Sequence, residues 1–403
     1  MTISAEQSAK KRTRAKIYVA GFFALAIVPM STVAVPLWSL ELGAPPFLIG
    51  LAVGARALLS VLFSIHGGAL MDRLGARRIM IVSALTIVLV GPLYPFMSSI
   101  EAVIGLQVIL GFSQGLAWMG AQTHISHMTR DDPAIIGRFA FVTTSGNFLG
   151  PLVVGLAWDF VGPVGAFSLI GLCGLGIATA SFMLPADPPP QKAGGNTLRD
   201  LMPRMRDYVE AFRMTMMPAI GFVVLASFLM TTIYGVRHSF YTVYLDSIGL
   251  SGTLIGALFA AGSLTASIFG LAVAPSRRFL PANWVLLGAI ALSTIAISAT
   301  PLMTGFDPLL AVALFWGIGG GLAFPLTLYI LSRIVSPDQQ GIAVGIRTTV
   351  NRASGLIIPM IMGAIAQAFD IQTSFLVTGG AVLVGIAILA FWLARSPSLL
   401  VRH

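Results

Sequence analysis

Gly68-Ala-Leu-Met-Asp72-Arg73-Leu-Gly75-Ala-Arg77-Arg78 is a short polar hinge between two long apolar runs. Asp72 and Gly75 mark the place where the preceding helix must stop, because glycine accepts the left-handed backbone that closes a helix. Arg73, Arg77 and Arg78 come just past the apolar run, as basic residues do in loops on the cytoplasmic side of a membrane. Taken alone, the stretch also fits a plain basic loop that only orients two helices.

The surrounding composition decides for the membrane. Of 403 residues, 56% are hydrophobic and only 10% are charged. Mean hydropathy is +0.90. Soluble domains carry roughly 25% charged residues, so most of this chain must face lipid or other apolar helices. The net charge of +9 would point to nucleic acid in a soluble protein, but the positions of the charges exclude that partner. Cys173, the single cysteine, lies in an apolar run and excludes a disulfide framework. His124-Ile-Ser-His127-Met128 is the nearest approach to a metal site, and no metal or cofactor is expected.

Residues 1–16 form a basic tail, and an apolar run follows from about 17 to 40. It is long enough to cross a ~30 Å hydrocarbon core and too long for a signal peptide, so it is expected to be a retained first span. Further spans are expected near 47–71, 79–98, 102–127, 138–160, 165–185, 216–241, 253–274, 283–303, 308–333, 342–368 and 373–394. Every Lys and Arg outside these runs falls in a tail or in a loop that follows an even-numbered run. The other loops carry single acids: Glu41, Glu101, Asp159, Asp246, Asp307 and Asp370. This partition puts both termini and the even-numbered loops in the cytoplasm. It predicts a multi-pass protein of the cytoplasmic (inner) membrane.

Residues 186–215 are the only long polar stretch and divide the chain. The expected parts are a basic tail (1–16), a six-helix bundle (17–185), a cytoplasmic linker (186–215), a second bundle (216–395) and a cytoplasmic tail (396–403). The halves repeat each other. Leu42-Gly43 and Ile49-Gly50 match Ile248-Gly249 and Ile255-Gly256 at an offset of 206. Gly111, Gly115, Leu116 and Ala117 match Gly317, Gly321, Leu322 and Ala323 at the same offset, and Pro151, Gly155 and Phe167 match Pro359, Gly363 and Phe375 at 208. Ordered matches at a nearly constant offset argue for duplication.

The hinge resembles the loop signature of the major facilitator superfamily, Gly-x-Leu-x-Asp-Arg-x-Gly-x-Arg-Arg, between helices two and three. Ala76 stands where that family often has a basic residue. The resemblance covers essentially the whole chain after residue 16. It implies an all-α integral membrane protein with twelve transmembrane helices in two six-helix bundles, which rock to open a central site to each side in turn. Asp72 would then meet the N-terminal end of a second-half helix and close the cytoplasmic side. Gly68, Arg73, Gly75, Arg77 and Arg347 complete the implied gate. Gly137, Gly146, Gly150-Pro151 and Gly155 resemble the helix-five signature of the family's proton-coupled exporters, with Val154 as a departure. Gly111 departs further, since those exporters carry arginine there.

All 15 acids lie in loops, tails or helix ends, while Arg56, Arg237, Arg347 and Arg352 lie inside spans. An arginine in a membrane helix must face backbone carbonyls, a wet cavity or an anion. Arg56 and Arg237 are placed to pair with Glu41 and Asp246. Arg352, deepest in its span and beside Asn351, is singled out for substrate because a guanidinium can hold a carboxylate or phosphate with two parallel bonds. Gln114, Trp118, Asn147, Tyr234, Arg237 and Tyr241 are its candidate partners. A coupling proton, if there is one, is assigned to His238 or Asp72, with His66, His124 and His127 also available.

The expected function is a monomeric secondary transporter of a small organic anion or metabolite. The alternative is a proton-coupled exporter of amphipathic or drug-like compounds. The chain has neither a His-Glu-x-x-His motif nor a phosphate-binding Gly-x4-Gly-Lys-Ser/Thr loop, which argues against a membrane protease and against ATP-driven movement.

Overall fold

The computed structural model describes residues 2–62, 71, 74–128, 133–185, 187, 216–276, 278, 280–335 and 340–396. Among them are six helices of the first half: α1 (Thr2–Glu41), α2 (Pro46–Leu62), α3 (Ala76–Val90), α4 (Ile100–Met128), α5 (Pro133–Val161) and α6 (Pro163–Phe182). The second half contributes α7 (Pro218–Ser247), α8 (Gly252–Phe269), α9 (Ala282–Ala299), α10 (Phe306–Ile334), α11 (Gln340–Ala368) and α12 (Ile371–Arg395). Eleven of these elements are long and apolar enough to cross a membrane, and α2 is described over 17 residues. Their unpaired faces carry large apolar side chains, such as Leu89 at 70% and Ile388 at 62% exposure, which suit hydrocarbon rather than water.

The expected basic tail is helical: α1 begins at Thr2 and continues unbroken into the first apolar run. Residues 2–16 lack Gly and Pro and are rich in Ala, Glu, Gln, Lys and Arg, all good helix formers. Gly68, Asp72, Arg73 and His66 lie outside the described residues, as does nearly all of the 186–215 linker.

The internal repeat is realised bond by bond. After α1, Gly43 (φ +66°) donates to the Leu40 carbonyl at 2.9 Å and Ala44 donates to Ser39 at 3.0 Å. After α7, Gly249 (φ +83°) donates to Asp246 at 2.8 Å and Leu250 donates to Leu245 at 3.1 Å. Both are the same glycine-closed helix end, 206 residues apart.

Across the halves, α2 packs on α11, α5 packs on α8, and α1 meets α7. Exchanging the halves turns the first contact into the second and the third into itself. Glycine makes these approaches possible. A methyl group on Gly50 would strike the Pro359 carbonyl, and one on Gly256 would strike the Pro151 carbonyl. Likewise Gly363 lies against Pro46 and Phe47, and Gly155 lies against Gly252. Pro151 and Gly155 of the helix-five signature therefore recur in α11 as Pro359 and Gly363 and do the same packing there. Gly146 and Gly150 instead admit α1, and Gly137 faces open space.

At the other end of the molecule, Arg77 donates through Nε and Nη2 to the Ser181 and Phe182 carbonyls at 3.1 and 2.8 Å. Its own amide donates to Asp187 at 3.0 Å. These bonds close the C-terminus of α6 and the N-terminus of α3 within the first half. Arg77 was expected to gate between halves, and its described contacts do not cross them. Gly75 (φ +88°) has Asp187 against it, which leaves no room for a side chain.

Candidate functional site

The spacing of Tyr234, His238 and Tyr241 puts them on one face of α7, with Arg237 beside them. Arg237 is buried, with 8% exposure. Its guanidinium lies over the Trp316 ring of α10 at 4.1 Å, with Tyr234 at 5.1 Å and Phe259 of α8 at 5.7 Å. Nη2 lies 2.9 Å from His238 Nε2. Arginine can only donate, so Nε2 accepts and the imidazole proton belongs on Nδ1. Nδ1 then donates to Thr32 Oγ1 of α1 at 2.9 Å, and Thr32 donates to the Val28 carbonyl at 3.0 Å. Arg56 of α2 donates to the same carbonyl at 3.4 Å.

Thr32 and His238 are 206 residues apart, the offset of the repeat. Each is the other's counterpart, so their contact lies on the axis that relates the two halves. Thr242 of α7 adds a second bond here, to the Thr32 carbonyl at 3.0 Å. The α1–α7 junction thus ties Arg237 of the second half to Arg56 of the first.

Beside Arg237 is a small pocket lined by Met230, Ile233, Tyr234, Arg237, Ile290, Ser293, Ile297, Trp316, Gly320 and Ala323. It is an apolar slot with one cation on its wall. Arg237 Nε makes no hydrogen bond, and beside it the Trp316 indole N–H faces the Tyr241 hydroxyl. Among the described residues no carboxylate lies within ion-pair distance of Arg237 or Arg56; the one described ion pair is His124 with Asp187 at 3.8 Å. The expected pairs with Asp246 and Glu41 are therefore not formed. Both acids sit at helix ends, beyond the reach of arginines turned inward.

Arg352 does not line this pocket. Its Nη1 donates to the Ser60 carbonyl of α2 at 2.7 Å, which joins α11 to α2 across the halves. Asn351 keeps a buried, unbonded Oδ1 nearby. Arg347 stays within the second half, over Phe324 at 4.9 Å and 3.4 Å from Thr327 Oγ1. Gln114 donates to the Ala24 carbonyl at 2.8 Å, Trp118 stacks on Phe139 at 5.8 Å, and Asn147 is half-buried on α5. None of these lines the cavity, whereas Tyr234 and Arg237 do.

Gly111 has a packing explanation. The backbone and Cγ of Arg56 occupy the space a side chain at 111 would need. Sequence reasoning missed Trp316, Phe259, Ser293 and Thr32. Thr32 was findable as the repeat counterpart of His238; the others carried no signal apart from lying in apolar helices.

The model of the Major Facilitator Superfamily matches residues 17–305 and 223–402. The quinolone resistance protein NorA of Staphylococcus aureus is 23% identical over 340 residues, 84% of each chain. An uncharacterised MFS-type transporter of Mycobacterium tuberculosis is 29% identical over 120 residues, 30% of this chain and 21% of the relative. Two solved structures share the fold. The nucleoside transporter NupG has a TM-score of 0.79 at 13% identity, covering 94% of this chain and 99% of its own. A bacterial homolog of the human lysosomal transporter Spinster, inward-facing and unoccupied, has a TM-score of 0.75 at 13% identity, covering 94% and 96%.

Proposed function

We propose, from the premise that the chain belongs to the major facilitator superfamily, that this transporter moves a small amphipathic organic anion bound at Arg237. The observation that carries the reading is a buried guanidinium with a free Nε–H on the wall of an apolar cavity and no described carboxylate beside it. An arginine inside a membrane helix costs ~2.5–3.5 kcal/mol on insertion scales, and the cost falls when an anion arrives. The Trp316 indole on the same wall and the neighbouring Tyr241 hydroxyl add polar hydrogens beside the cation. Met230, Ile233, Ile290 and Ile297 suit an apolar body. Arg237 takes the role first given to Arg352 because it lines the pocket and Arg352 does not.

The protein works in the inner membrane with both termini in the cytoplasm, as the charge partition supports. His238, on the axis between the halves, is the candidate carrier of a coupled proton. Export is the favoured direction, because the relative matched over most of both chains is named for drug resistance.

The test is flux in proteoliposomes, with and without a pH gradient, for aryl and alkyl monocarboxylates and for cationic dyes. Monocarboxylates are expected to move, to stop moving in Arg237→Ala and to keep moving in Arg352→Ala. Dye movement indifferent to Arg237, without anion movement, would overturn the reading in favour of a cation exporter.

A further inference from the structure

We propose that Asp159 is a positioning residue for transport: an ionised latch holding α5 of one half against the start of α8 of the other. It lies on the face that the charge partition assigns to the outside. Asp159 Oδ1 accepts from the Gly252 amide at 2.8 Å and Oδ2 accepts from the Thr253 amide at 2.7 Å. These are two of the unpaired donors of the first turn of α8, where a negative charge is also favoured by the helix dipole. Ser251 takes a third, the Leu254 amide, at 3.3 Å.

The internal repeat supplies the control. Gln367 of α11 is the counterpart of Asp159 at the offset of 208, and its Oε1 accepts from the Phe47 amide of α2 at 3.2 Å. Two latches therefore close this face, one charged and one neutral. The difference has a physical reason. Pro46 stands where α8 has Gly252, and proline has no amide hydrogen. The α2 end offers one donor to one amide oxygen. The α8 end offers two donors to the two oxygens of a carboxylate, and bonds to an ionised acceptor are the stronger kind. Gly155, packed on Gly252, brings the backbones close enough for Asp159 to reach.

For α5 and α8 to separate at this face, both Asp159 bonds must break. Neutralising the carboxylate weakens them, so acid on this side favours opening. Among the described residues no other charged side chain contacts Asp159. The remaining charged groups of the face are acids: Glu41 on α1, Glu101 on α4, Asp246 on α7, Asp307 on α10 and Asp370 before α12. Glu41 and Asp246 lie close enough to repel each other, and their response to acid is the background against which Asp159 is tested.

The experiment uses spin labels at Phe96 and Leu302, both exposed turns of this face in opposite halves, on the full chain in lipid. Asp159→Asn keeps the shape but loses the charge and one acceptor. It is expected to raise the open-to-closed ratio at pH 7.5 by roughly ten- to a hundredfold and to lose most of the acid-induced opening seen in wild type. Asp159→Glu is expected to restore the acid response. If Asp159→Asn fails to fold, Gln367→Glu decides: it should lower the open population and steepen its dependence on pH. Label distances that Asp159→Asn leaves as in wild type at pH 7.5, or an acid response between pH 5 and 3 that is undiminished in that variant, overturn the proposal. So does a Gln367→Glu variant indistinguishable from wild type.

Discussion

Replacing Arg237 by Met separates a binding arginine from a structural one. The variant keeps the length of the side chain and removes its charge. Three terms change in the empty protein. The bond to His238 at 2.9 Å is lost, worth about 1.5–3 kcal/mol for a charged donor. The stacking on Trp316 at 4.1 Å is lost, worth ~0.5–2 kcal/mol. Against these, the cost of holding a cation in the membrane, ~2.5–3.5 kcal/mol, is removed. The terms nearly cancel, so unliganded stability should change by no more than about 2 kcal/mol, whereas breaking a buried ion pair typically costs ~3–5 kcal/mol. Binding should behave differently. An anion at 100 times its Kd stabilises wild type by about 2.7 kcal/mol. If Arg237 supplies a charged hydrogen bond, its loss weakens affinity about thirtyfold, and the same concentration stabilises the variant by under about 1 kcal/mol. Cys173, buried and the only cysteine, reports unfolding when a thiol-reactive dye reaches it during a denaturant titration. A loss above ~3 kcal/mol without ligand, with ligand stabilisation intact, would refute the reasoning and make Arg237 a structural residue.

The glycine contacts make a graded prediction. Gly50→Ala and Gly256→Ala each push a methyl group into a proline carbonyl of the opposite half, and by the symmetry of the repeat both should reduce transport and widen the spacing of labels across the α2–α11 and α5–α8 contacts. Gly137→Ala meets nothing within 4 Å; it should leave transport unchanged and stabilise α5 by up to ~1 kcal/mol through helix propensity. Equal effects at all three positions would refute the steric argument. Asp370 accepts from the Thr373 amide at 2.6 Å and hydroxyl at 3.0 Å, and these bonds hold its carboxyl below the usual carboxylate range. A group with a depressed folded pKa stabilises above its unfolded pKa and loses that contribution as pH falls through the folded value. Amide exchange in the first turn of α12 should therefore quicken with acid in wild type, relative to Asp370→Asn, which lacks this titration.

The chain by itself determined what depends on transfer between water and lipid. Long apolar runs, basic residues gathered after even-numbered runs, and single acids after odd-numbered ones are each a property of a segment and its surroundings. Helix number and the division into halves follow from them. The repeat was visible too, because Gly43 and Gly249 are needed wherever this helix ending is built, and Pro151 and Pro359 wherever these helices meet. That the basic tail is helical was left open, because polarity argues against a membrane span and says nothing for or against a helix. What only the tertiary structure decided is which polar groups meet. Arg352 and Arg237 look alike in sequence, both buried cations in apolar helices. One reaches the Ser60 carbonyl of the other half, and the other is left among aromatic rings with an Nε–H unbonded. That difference depends on the rotation and depth of α11 against α2 and of α7 against α10. Hydropathy leaves both undetermined, since turning a helix that is apolar on nearly every face hardly changes its transfer energy but changes every partner its few polar groups can touch.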